Sequence, residues 1–123
     1  MRPVATLGTR FAEALAEKDF DRIQELLHPE IDFAGLTPRR SWAAADPAQV
    51  VEEILRQWFE ESDEVDAVLS IETEAVADRE RVGYRFAGHN GDGPFVVEQQ
   101  AYLSERDGRI DWMRVICSGM RPR

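Results

Sequence analysis

The chain has 123 residues, a length that fits one domain with a single sizeable core. Its hydrophobic content of 43% and its three tryptophans exclude a disordered chain. A net charge of −9 argues against nucleic acid and anionic membranes as partners, because such a surface repels phosphate groups.

The sequence also lacks the usual signals for a membrane or for export. No apolar run approaches the roughly 20 residues that cross a bilayer, and no basic and apolar leader opens the chain. The single cysteine, Cys117, cannot form an intramolecular disulfide, which fits a reducing compartment. We therefore expect a cytoplasmic protein with one domain over residues 1–123.

Apolar residues at helical spacing and a helix cap organise the start of the chain. The first helix is predicted to end near Lys18, with these apolar residues on one side: Val4, Leu7, Phe11, Ala14 and Leu15. Asp19 is placed to cap a short second helix, which Pro29 stops after His28.

A short strand, a loop and a third helix are predicted next. Residues 31–34 alternate as a brief strand, and residues 35–45 are predicted to be an irregular loop that carries Trp42. Asp46 and Pro47 mark the start of the third helix. Its apolar stripe consists of Val50, Val51, Ile54, Leu55, Trp58 and Phe59.

The rest of the chain is predicted to be β-structure. Residues 65–77 alternate between apolar and polar side chains, as in a long strand. Residues 82–119 then predict three antiparallel strands, with tight glycine-containing turns at residues 90–93 and 106–109. Helices followed by strands indicate an α+β domain.

The two turns predict which residues lie opposite each other. Arg85 is expected opposite Glu98, and Glu98 opposite Cys117, with all three on one face. A charged pair inside a sheet is costly unless it is well satisfied or functional. We therefore treat Arg85 and Glu98 as candidate site residues; the alternative is a structural ion pair, extended by Glu74.

Several segments resemble the SnoaL-like branch of the nuclear transport factor 2-like (NTF2-like) superfamily. They are residues 11–15 (FAEAL), 19–21 (DFD), 26–31 (LLHPEI), 98–102 (EQQAY), 107–110 (DGRI) and 117–119 (CSG). The resemblance implies an NTF2-like cone, in which three N-terminal helices pack in a curved, mostly antiparallel sheet around a pocket. Members include isomerases, hydrolases, cyclases, dehydratases and modules without catalysis.

The resemblance also shows which catalytic residues of this superfamily are missing. The ketosteroid isomerase branch uses a tyrosine and two acids, and the corresponding positions here are Phe11, Gln100 and Gly35. The epoxide hydrolase and polyketide cyclase branches place an acid where this chain has Val115. No known catalytic set is intact, although the amide of Gln100 can still donate a hydrogen bond.

The resemblance and the apolar pattern disagree about which face of the sheet lines the pocket. The resemblance places these residues on the concave face: Arg85, Ala87, Val96, Glu98, Gln100, Tyr102, Met113, Val115 and Cys117. The opposite face is more apolar: Val82, Tyr84, Phe86, Val97, Ala101, Leu103, Trp112 and Ile116. A homodimer that buries the convex face reconciles the two.

We expect a small-molecule-binding protein whose pocket takes a small, largely apolar organic ligand. The candidate ligand-binding residues are Phe33, Trp42, Arg85, Glu98, Gln100, Tyr102, Val115 and Cys117. One alternative is an isomerase, cyclase or dehydratase that transfers protons with Glu98 and Arg85; another is a non-catalytic assembly module. Two isolated histidines and one cysteine offer no ligand spacing for a metal, and no motif suggests a cofactor.

Overall fold

The computed structural model describes residues 5–123, so the predicted helical residue Val4 lies outside the described residues. Helix α1 spans Leu7–Ala16 and helix α2 spans Phe20–Leu26. Asp19 caps α2 as predicted, because its side chain accepts a hydrogen bond of 3.2 Å from the backbone N–H of Arg22.

The third helix consists of three consecutive segments. These are α3 (Pro47–Gln49), a π-helical segment (Val50–Leu55) and α4 (Arg56–Trp58). Asp46 caps it as predicted and accepts a 2.8 Å hydrogen bond from the backbone N–H of Gln49. All six residues of the predicted apolar stripe are buried. None of the helices within residues 5–123 has both the length and the apolar composition that crossing a bilayer requires.

The strands form one mixed sheet that is antiparallel except between β1 and β6. They are β1 (Leu27–Thr37), β2 (Arg40–Ala44), β3 (Glu64–Val76), β4 (Arg79–Asn90), β5 (Gly93–Arg106), β6 (Arg109–Cys117) and β7 (Arg121–Pro122). Their order is β2-β1-β6-β5-β4-β3, and β7 pairs with β5. The α+β class and the mostly antiparallel sheet are confirmed.

Two predictions for residues 27–45 are wrong. The second helix does not reach His28, because β1 begins at Leu27 and includes Pro29, where pairing with β6 is interrupted. A proline without an N–H is tolerated at such an interruption. The expected loop is a hairpin of β1 and β2, in which Arg39 has a φ of 73° and Trp42 lies opposite Gly35.

The β3 strand is confirmed, but its simple alternation is not. Register shifts lie between Val65 and Ala67 and between Val68 and Ser70, so the strand does not keep one face inward. It lies at the edge of the sheet, and most of its residues are exposed. The turn to β4 is centred on Ala77 and Asp78, which is earlier than predicted.

The register of the first predicted hairpin is confirmed. Arg85 lies opposite Glu98, and Asn90 lies opposite Gly93 at the turn. The second hairpin also begins as expected, with residues 106 and 109 paired.

The register farther along β5 and β6 differs from the prediction. Asp111 is an extra residue on β6, so the pairing shifts by one position beyond Ser104. The hydroxyl of Ser104 donates a 2.7 Å hydrogen bond to the Asp111 carboxylate at this bulge. Cys117 consequently lies opposite Gln99 and not opposite Glu98.

The bulge determines which residues of β6 share a face with the inward-facing residues of β4 and β5. The inner face of β4, β5 and β6 carries the buried residues Val82, Tyr84, Phe86, Phe95, Val97, Gln99, Ala101, Leu103, Met113 and Val115. The inward placement of Arg85, Glu98, Gln100 and Tyr102 was therefore wrong, whereas that of Val115 and Cys117 was right. Since the more apolar face of β4 and β5 packs on the helices, it needs no second chain to cover it.

Candidate functional site

The predicted ion pair forms, but on the outer face of the sheet. Arg85 donates hydrogen bonds of 3.0 Å from Nε and 2.7 Å from Nη2 to Oε1 of Glu98. The two side chains are 53% and 42% exposed. The hydrogen bond from Arg85 holds the pKa of the Glu98 carboxyl below its ordinary value of 4.5. Glu98 is therefore an ionised surface carboxylate and a weak proton acceptor near neutral pH.

The ion pair is one end of a row of hydrogen-bonded side chains on the outer face, here called the outer ladder, which consists of Glu74, Arg81, Gln100, Glu98 and Arg85. Nε of Arg81 donates to Glu74 at 2.7 Å, and its Nη1 donates to Oε1 of Gln100 at 2.7 Å. Gln100 in turn donates to Glu98 over 3.3 Å. Gly83 leaves room for this arrangement, because a Cβ there would lie 2.7 Å from Oε1 of Gln100. Glu74 thus pairs with Arg81, whereas the sequence suggested that it would join Arg85.

An inner cavity of about 220 Å³ lies between the third helix and the sheet. It is lined by Thr37, Trp42, Gln57, Trp58, Phe59, Val97, Gln99, Cys117, Gly119 and Met120. None of these side chains carries a charge at neutral pH. Trp42 and Cys117 thus line a cavity as predicted, and Cys117 also accepts a 3.3 Å hydrogen bond from the backbone N–H of Gly119.

A larger surface groove of about 630 Å³ is a weaker candidate. It lies beside Asp21, Asp46 and Arg109 and is open to solvent. Within residues 5–123, the buried polar side-chain atoms without a partner belong to Trp58 and Gln99, and both of these residues line the inner cavity. The inner cavity is therefore the candidate functional site.

Aromatic side chains form one wall of the inner cavity. The ring centroids of Trp42 and Trp58 are 6.1 Å apart at 85°, and those of Phe33 and Trp58 are 6.0 Å apart. Phe33 is 1% exposed and packs against Trp58 without lining the cavity. Gly35 admits Trp58, because a Cβ on Gly35 would lie 2.5 Å from its Cη2 atom. Trp58 thus belongs to the core, as predicted, and also lines the site.

The two tryptophans differ in their hydrogen bonding. The indole Nε1 of Trp42 donates to the Thr37 hydroxyl at 2.8 Å. The indole Nε1 of Trp58 is buried and has no acceptor among residues 5–123. The indole N–H of Trp42 therefore has an acceptor in the protein, whereas that of Trp58 has none within residues 5–123.

Gln99 provides the polar group on the sheet side of the cavity. Its side chain is 1% exposed, and its Oε1 accepts a 2.5 Å hydrogen bond from the Tyr84 hydroxyl. Its Nε2 has no acceptor in the described part of the chain. Burial, followed by the nearby Cys117 thiol, raises the pKa of the Tyr84 phenol well above its ordinary value of 10.0. Tyr84 is thus a neutral hydrogen-bond donor that fixes the orientation of the amide.

Gln100 and Gln99 lie on opposite faces of β5, and Gln99 is the one that lines the cavity. Gln100 was expected to offer a donor to a ligand, but it lies in the outer ladder. Gln99 is the lone polar side chain between the apolar residues Val97 and Ala101 on the inner face of β5. That interruption of an apolar row was a visible signal in the sequence.

The predicted ligand-binding residues therefore separate into three groups. Trp42 and Cys117 line the cavity, while Phe33 and Val115 are buried inside without lining it. The remaining four lie on the outer face: Arg85, Glu98, Gln100 and Tyr102. Within residues 5–123, no group of three or more His, Cys, Asp or Glu residues is arranged to hold a metal ion.

Comparisons with solved structures identify the architecture. A Burkholderia thailandensis NTF2-like protein has a TM-score of 0.65 and 16% identity, with 94% of this chain and 92% of that chain covered. The chain has the NTF2-like fold. This agrees with the resemblance noted in the sequence, and no family model or curated protein sequence matches the chain.

Two other similar structures carry provisional functional names. A provisionally named isomerase from Rhodopseudomonas palustris has a TM-score of 0.75 and 19% identity, with coverage of 95% of this chain and 93% of that chain. A provisionally named polyketide cyclase from Xanthomonas campestris has a TM-score of 0.69 and 18% identity, with coverage of 89% and 86%. Identities this low establish a shared fold and leave the activity of this NTF2-like chain to be argued from its own cavity.

Proposed function

We propose that the protein binds a small, neutral, ring-containing organic molecule in the inner cavity. The observation that carries this proposal is an uncharged lining of aromatic and apolar side chains with two amide groups. Apolar walls with a few polar groups are the usual composition of a small-molecule site. An isomerase or a polyketide cyclase, the names given to two of the fold neighbours, would also act on small organic molecules.

The size of the cavity limits the ligand. Typical drug-sized pockets enclose about 300–1,000 Å³, whereas about 150 Å³ is enough for benzene. A cavity of about 220 Å³ therefore fits a molecule with one ring and a few substituents. A steroid or a long fatty acid would extend beyond it.

A proton-transfer enzyme that uses Glu98 and Arg85 has less support. That pair lies on the outer face, and the lining of the cavity includes no carboxylate or histidine. The lowered pKa of Glu98 also opposes its use as a base. Binding without proton transfer by this pair is therefore the function that the geometry supports best.

A thermal-shift screen tests the proposal with neutral single-ring compounds, steroids and fatty acids. We expect the single-ring compounds to raise the melting temperature and the larger compounds to have no effect. Cys117→Phe places a ring in the cavity and should abolish the shift. Ile116→Phe changes the neighbouring residue on the outer face and should preserve it.

The outcomes separate the candidate functions. A shift that survives in Cys117→Phe, or one caused by steroids alone, would contradict binding in this cavity. A folded protein that responds to no compound class would favour the assembly module.

A further inference from the structure

We propose that His89 is a proton-dependent clasp at one end of the edge strand β3. In its protonated form it joins Glu64 and Asp66 at once and holds the start of β3 against β4. In its neutral form it bonds only one of them, and this end of the strand opens more often. The clasp goes beyond the proposed function, since none of these three residues lines the inner cavity.

The two ring nitrogens of His89 face two different carboxylates of β3. Nδ1 lies 2.8 Å from Oδ2 of Asp66, and Nε2 lies 3.0 Å from Oε2 of Glu64. Both distances are within hydrogen-bonding range. His89 lies near the end of β4, directly opposite Glu64. One side chain of β4 therefore contacts two side chains of β3.

This arrangement needs a protonated ring. An ionised carboxylate only accepts hydrogen bonds, so each ring nitrogen must carry a hydrogen to make its contact. A neutral imidazole has one N–H group and one lone pair, and the lone pair would face a carboxylate oxygen. Loss of the proton therefore removes one of the two hydrogen bonds and the charge attraction to both carboxylates.

The clasp lies where the backbone pairing of β3 is interrupted. Asp66 is an extra residue between Val65 and Ala67, so it has no partner on β4. β3 is also an edge strand, and within residues 5–123 no strand pairs with its other side. The side-chain contacts of Glu64 and Asp66 thus supplement an incomplete ladder.

The segment before β3 is held by contacts that involve no histidine. Nζ of Lys18 donates to the backbone oxygens of Glu60, at 2.5 Å, and of Asp63, at 2.7 Å. Nδ2 of Asn90 donates to Oδ1 of Asp63 at 2.9 Å. These contacts do not depend on an imidazole, so the change near neutral pH is confined to the start of β3.

The two carboxylates favour the protonated ring. The hydrogen bond to Asp66 and then the charge of Asp66 raise the pKa of His89 above its ordinary value of 6.5, and Glu64 adds to the rise. The charged residues of the adjoining turn and of the adjoining chain end are Asp92 and Arg123, which have opposite charges.

The sign of the pH dependence follows from this rise. Because the folded-state pKa of His89 is the higher one, the contribution of the clasp is complete below pH 6.5 and is lost as the pH rises through the folded-state value. The side chains of His89, Glu64 and Asp66 are 50%, 67% and 54% exposed, so we expect a local effect with little change in global stability.

A titration followed by NMR tests the protonation step. The ring of His89 should titrate above 6.5, and Asp66→Asn and Glu64→Gln should each lower its pKa, with the larger shift in Asp66→Asn. A wild-type ring that titrates at or below 6.5, or one that neither variant shifts, would overturn the clasp.

Hydrogen exchange tests the opening of the strand. After correction for the intrinsic exchange rate, the amides that pair residues 64–68 with residues 86–89 should exchange several-fold faster as the pH rises through the folded-state pKa of His89. The amides that pair residues 70–76 with residues 79–85 lie beyond the clasp and should show no such step. An equal step in both regions, or none in the first, would contradict the inference.

Variants assign the step to His89. His89→Gln should remove it, because an amide does not titrate near neutral pH. His28→Gln replaces the other histidine of the chain, which lies on β1, and should keep the step. A step that survives His89→Gln, or one that disappears in His28→Gln, would assign the pH dependence to another group and refute the clasp.

Discussion

Two adjacent glutamines on β5 show how different the two faces of this sheet are. Gln100, on the outer face, accepts from Arg81 and donates to Glu98, so both ends of its amide have partners. Gln99, on the inner face, has a partner for its oxygen in Tyr84 and none for its nitrogen among residues 5–123.

The polar groups of the outer ladder and those of the inner cavity differ in whether they have hydrogen-bond partners in the protein. The outer ladder is rich in charge, but water reaches it and its members satisfy each other, so it needs no ligand. The inner cavity has no charged lining residue, and two of the residues that line it, Trp58 and Gln99, each carry a buried N–H group without an acceptor among residues 5–123. The two faces therefore differ in how far their polar groups are satisfied as well as in charge.

Replacing neighbouring residues on the two faces gives the largest expected difference in stability. Leu103 is 2% exposed on the inner face, so Leu103→Ala should lower the free energy of unfolding by about 2–5 kcal/mol. Tyr102 is larger but 36% exposed on the outer face, and Tyr102→Ala should cost less than about 1 kcal/mol. Denaturant unfolding of both variants measures the difference, and equal losses would contradict the assignment of the faces.

The sequence predicted those parts of the fold that short-range chemistry determines. Asp19 and Asp46 were recognised as caps because an acceptor side chain at that position bonds a free backbone N–H. The hairpin between β4 and β5 was predicted with its register, because a tight turn leaves only one pairing for the strands.

Which side chains of the sheet point inward was harder to predict, because one extra residue in a strand exchanges its inward-facing and outward-facing positions. Asp111 shifts β6 by one position against β5. A register that is counted outward from the turn at residues 106–109 does not include this shift. The resemblance was right for Val115 on β6 but wrong for Glu98 on β5. The apolar pattern on β4 and β5, which the homodimer hypothesis assigned to a subunit interface, identified the buried face correctly.

Gly35 allows a test of the cavity wall. Gly35→Ala would bring a Cβ to 2.5 Å from Trp58, so we expect a loss of about 1–3 kcal/mol from overpacking. Tryptophan fluorescence should change as Trp58 moves. Gly91→Ala is the matched control, since a Cβ there meets nothing within 4 Å and should change stability little. A neutral Gly35→Ala would contradict the close approach of Trp58.

The homodimer through the outer face stays a prediction, now on a different basis. Leu36 and Ile116 are neighbours on β1 and β6 and are 53% and 58% exposed, so the outer face retains an apolar patch. Light scattering at micromolar concentration should give twice the chain mass of 14.0 kDa. Leu36→Glu should then yield a monomer, whereas Val76→Glu on the edge strand should not. A wild-type monomer would refute the prediction.

The smallest expected effect comes from the most conspicuous charged pair. Arg85 and Glu98 are exposed to water, so Arg85→Ala should cost no more than about 1 kcal/mol, and less in high salt. The pKa of Glu98 is lowered in the folded state by the hydrogen bond from Arg85. The contribution of the pair is therefore complete above the ordinary pKa of 4.5 and is lost as the pH falls through the lower folded-state value. Unfolding curves measured at acidic pH should show a smaller loss of stability in Glu98→Gln than in the wild type. A loss of about 3 kcal/mol or more in Arg85→Ala would indicate a buried pair and would contradict its position on the outer face.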